Sequence, residues 1–216
     1  MSLTAPPEPH KGGALPPGVL RLAFSHLNMR FNPFGEPSPR ERADLASVET
    51  SDLPAGEIVQ FVGDSGRGKT THLLALAARH PAAVYLKLEE GQDGWTAALP
   101  EGVPFLLDEA QRARPARLRA LLRSGRTVAL GTHADLSALA PRAIRTVRVG
   151  GWGVSSIGPI VARRIEWARR GPGPVPMVSD TALAVLVSRH GDDLRSLLGE
   201  LYDVFQTLTE VGPVTV

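Results

Sequence analysis

Cysteine is missing from all 216 residues. No disulfide framework and no thiolate metal site can therefore form, which agrees with a reducing, cytoplasmic setting. Lysine is almost missing too, occurring only at Lys11, Lys69 and Lys87, so nearly all the positive charge is arginine. Aromatic residues make up 5% of the chain, which leaves little material for the base-stacking platforms of single-strand binding. No apolar run is long enough to span a bilayer, and no basic segment followed by an apolar core opens the sequence. The reading is a soluble, unsecreted protein with no membrane insertion. A net charge of +2 gives no general reason to expect a polyanionic partner. Apolar material is plentiful, at 43%. A chain of this length can bury one good core with room for a second small one.

The organising stretch is Gly63-Asp64-Ser65-Gly66-Arg67-Gly68-Lys69-Thr70, which fits G-x-x-x-x-G-K-[ST] at every fixed position. It follows the apolar run Ile58–Val62 and precedes a helix-like run from Thr71 to Ala78, the strand-loop-helix context that the motif needs. Its glycines let backbone N–H groups turn inward around an anion, and the helix start adds partial positive charge. Lys69 is expected to reach the β- and γ-phosphates of a nucleotide, Thr70 to bind Mg²⁺ through its hydroxyl, and Thr71 to join the phosphate-binding set.

Before this loop, residues 1–18 are rich in proline and glycine and read as a flexible tail. Val19 to Leu27 is more apolar and suits an added strand or a short segment packed on the main domain. Ser38, Pro39 and Glu41 then spell a helix start with a capping box, predicting a short helix to about Val48. After the loop, strands are predicted at Ala83–Leu88, Val103–Leu107, Thr127–Gly131 and Thr146–Val149, with a short helix around Trp95–Leu99 and another capped by Asp135. Five strands with a crossover between successive ones predict a parallel sheet in a three-layer α/β sandwich over residues 19–150.

The third strand ends on Asp108-Glu109, at the crevice where ligands of open parallel sheets bind. Asp108 is placed to complete the Mg²⁺ shell that Thr70 begins, and Glu109 to orient and deprotonate a water. Glu89, at the end of the second strand, competes for the role of base and ranks behind it. The fourth strand ends on Thr132-His133, where Thr132 is the better candidate for contact with the γ-phosphate or the water. Between Ala110 and Ala134 there is no acidic residue, while Arg112, Arg114, Arg117, Arg119, Arg123 and Arg126 all fall in that window. Such a segment reads either as a surface for nucleic-acid phosphates or an acidic neighbour, or as a solvated helix face.

Past Gly153 the apolar period becomes helical. Residues 151–216 predict a small all-helical bundle of three helices, with Arg195 in the first turn of the last, where the helix dipole disfavours a cation.

The order of phosphate loop, Asp108-Glu109, Thr132-His133, an arginine before the fifth strand and a helical lid resembles an AAA+ ATPase. Leu107-Asp108-Glu109-Ala110-Gln111 and Asn32-Pro33-Phe34 are similar to the bacterial clade of transposition helpers and secretion-associated ATPases, and more distantly to replication initiators and loaders. By that resemblance Gly63 to Thr70 is Walker A, Asp108 and Glu109 are Walker B, Thr132 is sensor 1 and Arg195 is sensor 2. The trans-acting arginine finger corresponds to Arg142, with Arg145 second, and Asn32 to Phe34 flanks the adenine.

The resemblance implies binding and hydrolysis of ATP with Mg²⁺, self-assembly on ATP binding, and a protein or nucleic-acid partner that responds to the nucleotide state. No helix-turn-helix follows the lid in this sequence, so sequence-specific DNA binding in the manner of an initiator is not expected. The Leu-Ser-Gly-Gly-Gln signature of ABC transporters and an aromatic pore loop are also missing. A nucleotide-dependent switch with negligible hydrolysis alone is the second reading, and a small-molecule or nucleotide kinase the third.

Overall fold

A computed structural model describes residues 23–46 and 52–216. The expected tail over 1–18, the start of the Val19–Leu27 segment and the predicted end of the first helix at Val48 lie outside the described residues. Helix α1 spans Pro39–Asp44 and carries the predicted capping box: the Ser38 hydroxyl accepts from Glu41 N, and the Glu41 carboxylate accepts from Ser38 N.

Five strands follow, β1 (Ile58–Val62), β2 (Val84–Lys87), β3 (Phe105–Asp108), β4 (Val128–Thr132) and β5 (Arg145–Arg148). They form one all-parallel sheet in the order β2-β3-β4-β1-β5. Every residue of β1, β3 and β4 is buried, as a sheet covered on both faces requires. Helix α2 (Lys69–Arg79) covers one face, where Val59, Phe61, Leu73, Leu76 and Leu106 cluster. Helix α3 (Pro115–Arg123) covers the other with Ile58, Phe105, Leu107, Leu118 and Leu122. The two-residue period of β3 therefore turns Phe105 and Leu107 toward α3, and Leu106 and Asp108 toward α2. A charged residue thereby ends the strand on the face where the phosphate loop begins its helix.

No helix forms around Trp95–Leu99, contrary to expectation. Gly94 and Pro100 bracket the segment, and Trp95 is held by tertiary contacts, its ring 5.2 Å from Phe105 and beneath the Arg117 guanidinium at 5.3 Å. The Asp135 segment forms only a 3-10 turn, Ser137–Leu139. Its Asp135 carboxylate accepts from Ser137 N and from Gln60, a fully buried polar residue in the middle of β1.

The lid comprises α4 (Val154–Ala168), α5 (Asp180–His190) and α6 (Leu194–Thr207). Ser179 caps α5, and of the two aspartates available for α6 it is Asp193 that caps, accepting from Ser196 N. The lid is not purely helical, because β6 (Met177–Val178) and β7 (Pro213–Val214) pair as a two-residue parallel ladder. The described part of the early apolar segment adds no strand to the main sheet. Leu27, Met29 and Phe34 instead bury into the lid core with Ile157, Leu197 and Phe205. Asn32 fixes this docking by donating to Tyr202 O at 2.9 Å while its Oδ1 accepts from Phe34 N. The lid core thus draws on chain from both sides of the α/β domain, a pairing that no local periodicity reveals.

Candidate nucleotide site

Strand β1 ends at Val62 and α2 begins at Lys69, so the six residues between them form the phosphate loop at the carboxyl edge of the sheet. Lys69 is buried and its ammonium crosses the loop to donate to Asp64 O at 2.8 Å. Burial lowers its pKa, and Arg195 acts in the same direction against Glu109, Asp108 and Asp64, which raise it. His72, one turn into α2, is pushed down by burial and donates Nδ1–H to Gly68 O at 3.0 Å.

Asp108 is fully buried and completely bonded. One oxygen accepts from the Thr70 hydroxyl at 2.7 Å and the Tyr85 hydroxyl at 3.1 Å, and the other from Glu109 N at 3.0 Å. Burial and the Asp108 carboxylate push the Tyr85 phenol well above its ordinary range, so Tyr85 remains a donor. Thr70 and Asp108 fit a Mg²⁺ ion: both are hard oxygen donors, and this ion takes the rest of its octahedron from waters and phosphate oxygens. Among the described residues no cluster of three or more His, Asp or Glu side chains offers a closed metal cage.

Glu109 adopts a left-handed backbone, φ 58°, which costs a non-glycine residue about 1–2 kcal/mol. The turn aims its carboxylate into the cavity. Its Oε2 accepts from Gln111 Nε2 at 2.6 Å and lies 3.5 Å from His133 Nε2 and 3.7 Å from Arg112 Nε. Gln111 also accepts from His133 N at 3.3 Å, tying the ends of β3 and β4 together. Thr132 is fully buried and its hydroxyl is folded into its own turn, donating to Ala134 O at 2.9 Å. The side chain facing Glu109 just beyond the end of β4 is His133, 3.5 Å from its Oε2. Glu89 stands apart, exposed and 3.6 Å from Lys87.

The loop, Glu109 and the lid enclose a cavity of about 640 Å³. Phe34, Gly35, Ile160 and Tyr202 line it together with Lys69, Thr70, Thr71 and Arg195. Arg195 makes no side-chain hydrogen bond or ion pair among the described residues. Arg42 of α1 also faces the cavity, a residue that the sequence did not single out. It pairs with Glu36 and feels the charges of Arg195 and Asp108. Arg164 donates to the carbonyls of Pro33 and Gly35, and burial, with Arg42 nearby, pushes its pKa down to about 10.

The lid is pinned directly to the phosphate loop. Arg67 pairs with Asp192, whose other oxygen accepts from Trp152 N at 3.0 Å, and Arg67 also reaches Asp64 at 3.1 Å. Gly66 lies so close to the start of α6 that a Cβ there would stand 2.3 Å from Asp193 Oδ1.

The remaining arginines divide clearly. Arg145 is bound to Glu57, whereas Arg142 is exposed and donates to Arg126 O, at the amino edge of the sheet. On and around α3, Arg112 binds Leu88 O, Arg114 binds Asp93, Arg117 lies over Trp95 and Arg126 binds Leu99 O. Arg119 and Arg123 are exposed and carry no side-chain partner among the described residues.

No family model matches the chain, and no curated protein matches it. Solved structures do. NtrX from Brucella abortus superimposes with a TM-score of 0.52 at 15% identity, covering 85% of this chain and 55% of that one. Cdc6p from Pyrobaculum aerophilum gives 0.50 at 15% identity, covering 69% and 56%. The chain thus spans about half the length of the structures it matches. Both are AAA+ P-loop ATPases, and at these identities the likeness speaks for the fold. The fold of this chain is the α/β fold of the AAA+ P-loop ATPases.

Proposed function

We propose that this chain binds and hydrolyses Mg²⁺-ATP and couples the nucleotide state to self-assembly and to a protein or nucleic-acid partner. The observation that carries the reading is the fully buried Asp108 held 2.7 Å from Thr70 Oγ1, beside Glu109, beneath a cavity that the phosphate loop and the lid line together. The Lys69 ammonium exchanges the Asp64 carbonyl for phosphate oxygens. Thr70 and Asp108 hold the metal, which supplies charge neutralisation on the phosphates. Glu109 orients the attacking water and takes its proton, with His133 beside it. Arg195 reaches the phosphates from the lid, and Arg142 serves a neighbouring subunit. The commitment of Arg145 to Glu57 supports Arg142 as the trans-acting residue.

A second reading is a switch that hydrolyses negligibly alone. It is favoured by the state of Glu109, whose Oε2 is engaged by Gln111 and approached by two more cationic or imidazole groups. A carboxylate so occupied must be released before it can act as a base. Two arginines without a side-chain partner among the described residues, Arg119 and Arg123, form a weaker nucleic-acid footprint than six would.

The ATPase rate per subunit, measured against protein concentration with and without DNA, tests both readings. Assembly predicts a rise with concentration, and a flat, near-zero rate with retained ATP binding selects the switch. Lys69→Ala must lose ATP binding. Glu109→Gln must keep it and lose about 10²-fold or more in turnover, whereas Glu89→Gln must not. ATP affinity in Lys69→Ala equal to wild type would defeat the proposal.

A further inference from the structure

Helix α1 packs across α2 and delivers Arg42 into the cavity that holds Lys69, Thr70, Glu109 and Arg195. The charges that act on Arg42 locate it. The Asp108 carboxylate attracts it, and Arg195 and Arg164 repel it. It therefore lines the cavity within electrostatic reach of Asp108 and Arg195, with Glu36 and Arg164 beside it.

Four cations, Arg42, Lys69, Arg164 and Arg195, converge on one cavity whose lining carboxylates are Glu36, Glu109 and Asp203. Arg164 is fixed on backbone carbonyls and Lys69 on Asp64 O. Arg42 and Arg195 remain. They come from α1 and α6, on opposite sides of the phosphate loop in sequence, and Arg195 makes no ion pair among the described residues, Asp193 acting on it only at longer range. Burial, with repulsion from Arg195, holds the Arg42 guanidinium below its ordinary range. The counter-ion of Arg42 is Glu36, whose side chain is 79% exposed while that of Arg42 is 23% exposed. An exposed carboxylate makes a weak, exchangeable partner. A phosphate offers more charge and accepts a guanidinium fork in bidentate fashion.

We propose that Arg42 is a second, same-chain arginine for the terminal phosphate of the nucleotide, acting opposite Arg195, with Glu36 the carboxylate that the phosphate displaces. The inference rests on the nucleotide reading above. It makes α1 part of the binding site, so that the nucleotide grips the segment preceding β1 as well as the lid.

The test is equilibrium binding of Mg²⁺-ATP and Mg²⁺-ADP to wild type, Arg42→Ala, Arg42→Lys and Glu36→Gln, with thermal melts of each free protein. Arg42→Ala should weaken ATP binding by about tenfold or more and ADP binding by clearly less. Arg42→Lys should recover part of the loss, since a point charge replaces the fork. Glu36→Gln should tighten ATP binding a few-fold by removing the competing carboxylate. Wild-type ATP affinity in Arg42→Ala overturns the proposal. So does an equal loss for ATP and ADP, or a loss in Glu36→Gln matching that in Arg42→Ala, which would make the pair structural. If the melt shows Arg42→Ala to be unfolded, Arg42→Lys and Glu36→Gln decide by the same criteria. Wild type that binds neither nucleotide defeats the nucleotide reading itself, whereas wild type that binds with Arg42→Ala unaffected defeats only the role of Arg42.

Discussion

Adding one methyl group at Gly131 tests the geometry of the metal ligands without removing any of them. Gly131 lies in β4 against the end of β3, and a Cβ there would stand 2.6 Å from Asp108 Oδ1 and 3.0 Å from Leu73 Cδ1. Leu73 is fully buried and cannot yield outward. The Asp108 carboxylate must then retreat by about 0.8 Å to reach ordinary contact at 3.4 Å. Directed along the Thr70 contact, now 2.7 Å, a shift of that size takes the pair beyond hydrogen-bond range. A hydrogen bond to a charged group contributes about 1.5–3 kcal/mol, so Gly131→Ala should lose about 10- to 100-fold in Mg²⁺-dependent nucleotide affinity. A displacement near 1 Å in an active site also costs about 100-fold in turnover. Overpacking costs about 1–3 kcal/mol of stability, which an ordinary domain survives. The assay is nucleotide affinity in Mg²⁺ and in EDTA, with a denaturation curve for each protein. Affinity in EDTA should stay within about threefold of wild type while the Mg²⁺-dependent gain shrinks. An unchanged Mg²⁺-dependent gain in a folded Gly131→Ala protein would refute the argument that this glycine is required by the Asp108 position.

Two further predictions concern the sheet. Gln60 is fully buried; its amide nitrogen shares its two hydrogens among Asp135 Oδ1, Ser137 Oγ and Thr146 Oγ1, all within hydrogen-bonding distance, and its Oε1 accepts from Leu136 N at 2.9 Å. Gln60→Ala orphans the Leu136 N–H and opens a cavity, so urea denaturation should show a loss of about 3 kcal/mol; a loss below about 1 kcal/mol would show the network to be dispensable. Asp135 titrates in the opposite half of the same network. Hydrogen bonds from Ser137 first, and then from Gln60, hold its carboxyl at about 2, below its ordinary 3.8. A depressed carboxyl contributes stability that is complete above the unfolded value and disappears as pH falls through the folded one. Asp135→Asn should therefore flatten the fall in stability between pH 3.8 and about 2, and an unaltered acid limb would contradict this assignment.

The parts of the molecule legible in sequence are those where chemistry and period coincide. The phosphate loop, the strand-end position of Asp108 and the capping box at Ser38 each depend on residues within a few positions of one another. The docking of Leu27, Met29 and Phe34 into the lid was not legible, because its partners lie more than 120 residues away and make no local pattern. Arg42 escaped notice for the same reason: on α1 it resembles any exposed helix arginine, and only the fold brings it beside Arg195. Trp95–Leu99 misled in the other direction, since its apolar spacing reflects packing of Trp95 on Phe105 rather than a helix. Thr132 and His133 were distinguishable only by the turn that engages the threonine hydroxyl with Ala134. Gln111 did carry a signal, standing two residues beyond Glu109, but no spacing rule predicts that it will join Glu109 to the end of β4.

The pairing of Arg67 with Asp192 ties the phosphate loop to the start of α6. Helix α6 starts at Leu194, two residues beyond that anchor, and its 14 residues extend about 21 Å. A tilt of about 5° at the anchored end moves the far end by about 2 Å, enough to change which side chains meet there. Under the proposed nucleotide reading, a partner that gripped the tip of the lid and tilted it about this joint would alter phosphate affinity by the same factor by which the nucleotide would alter the affinity for that partner.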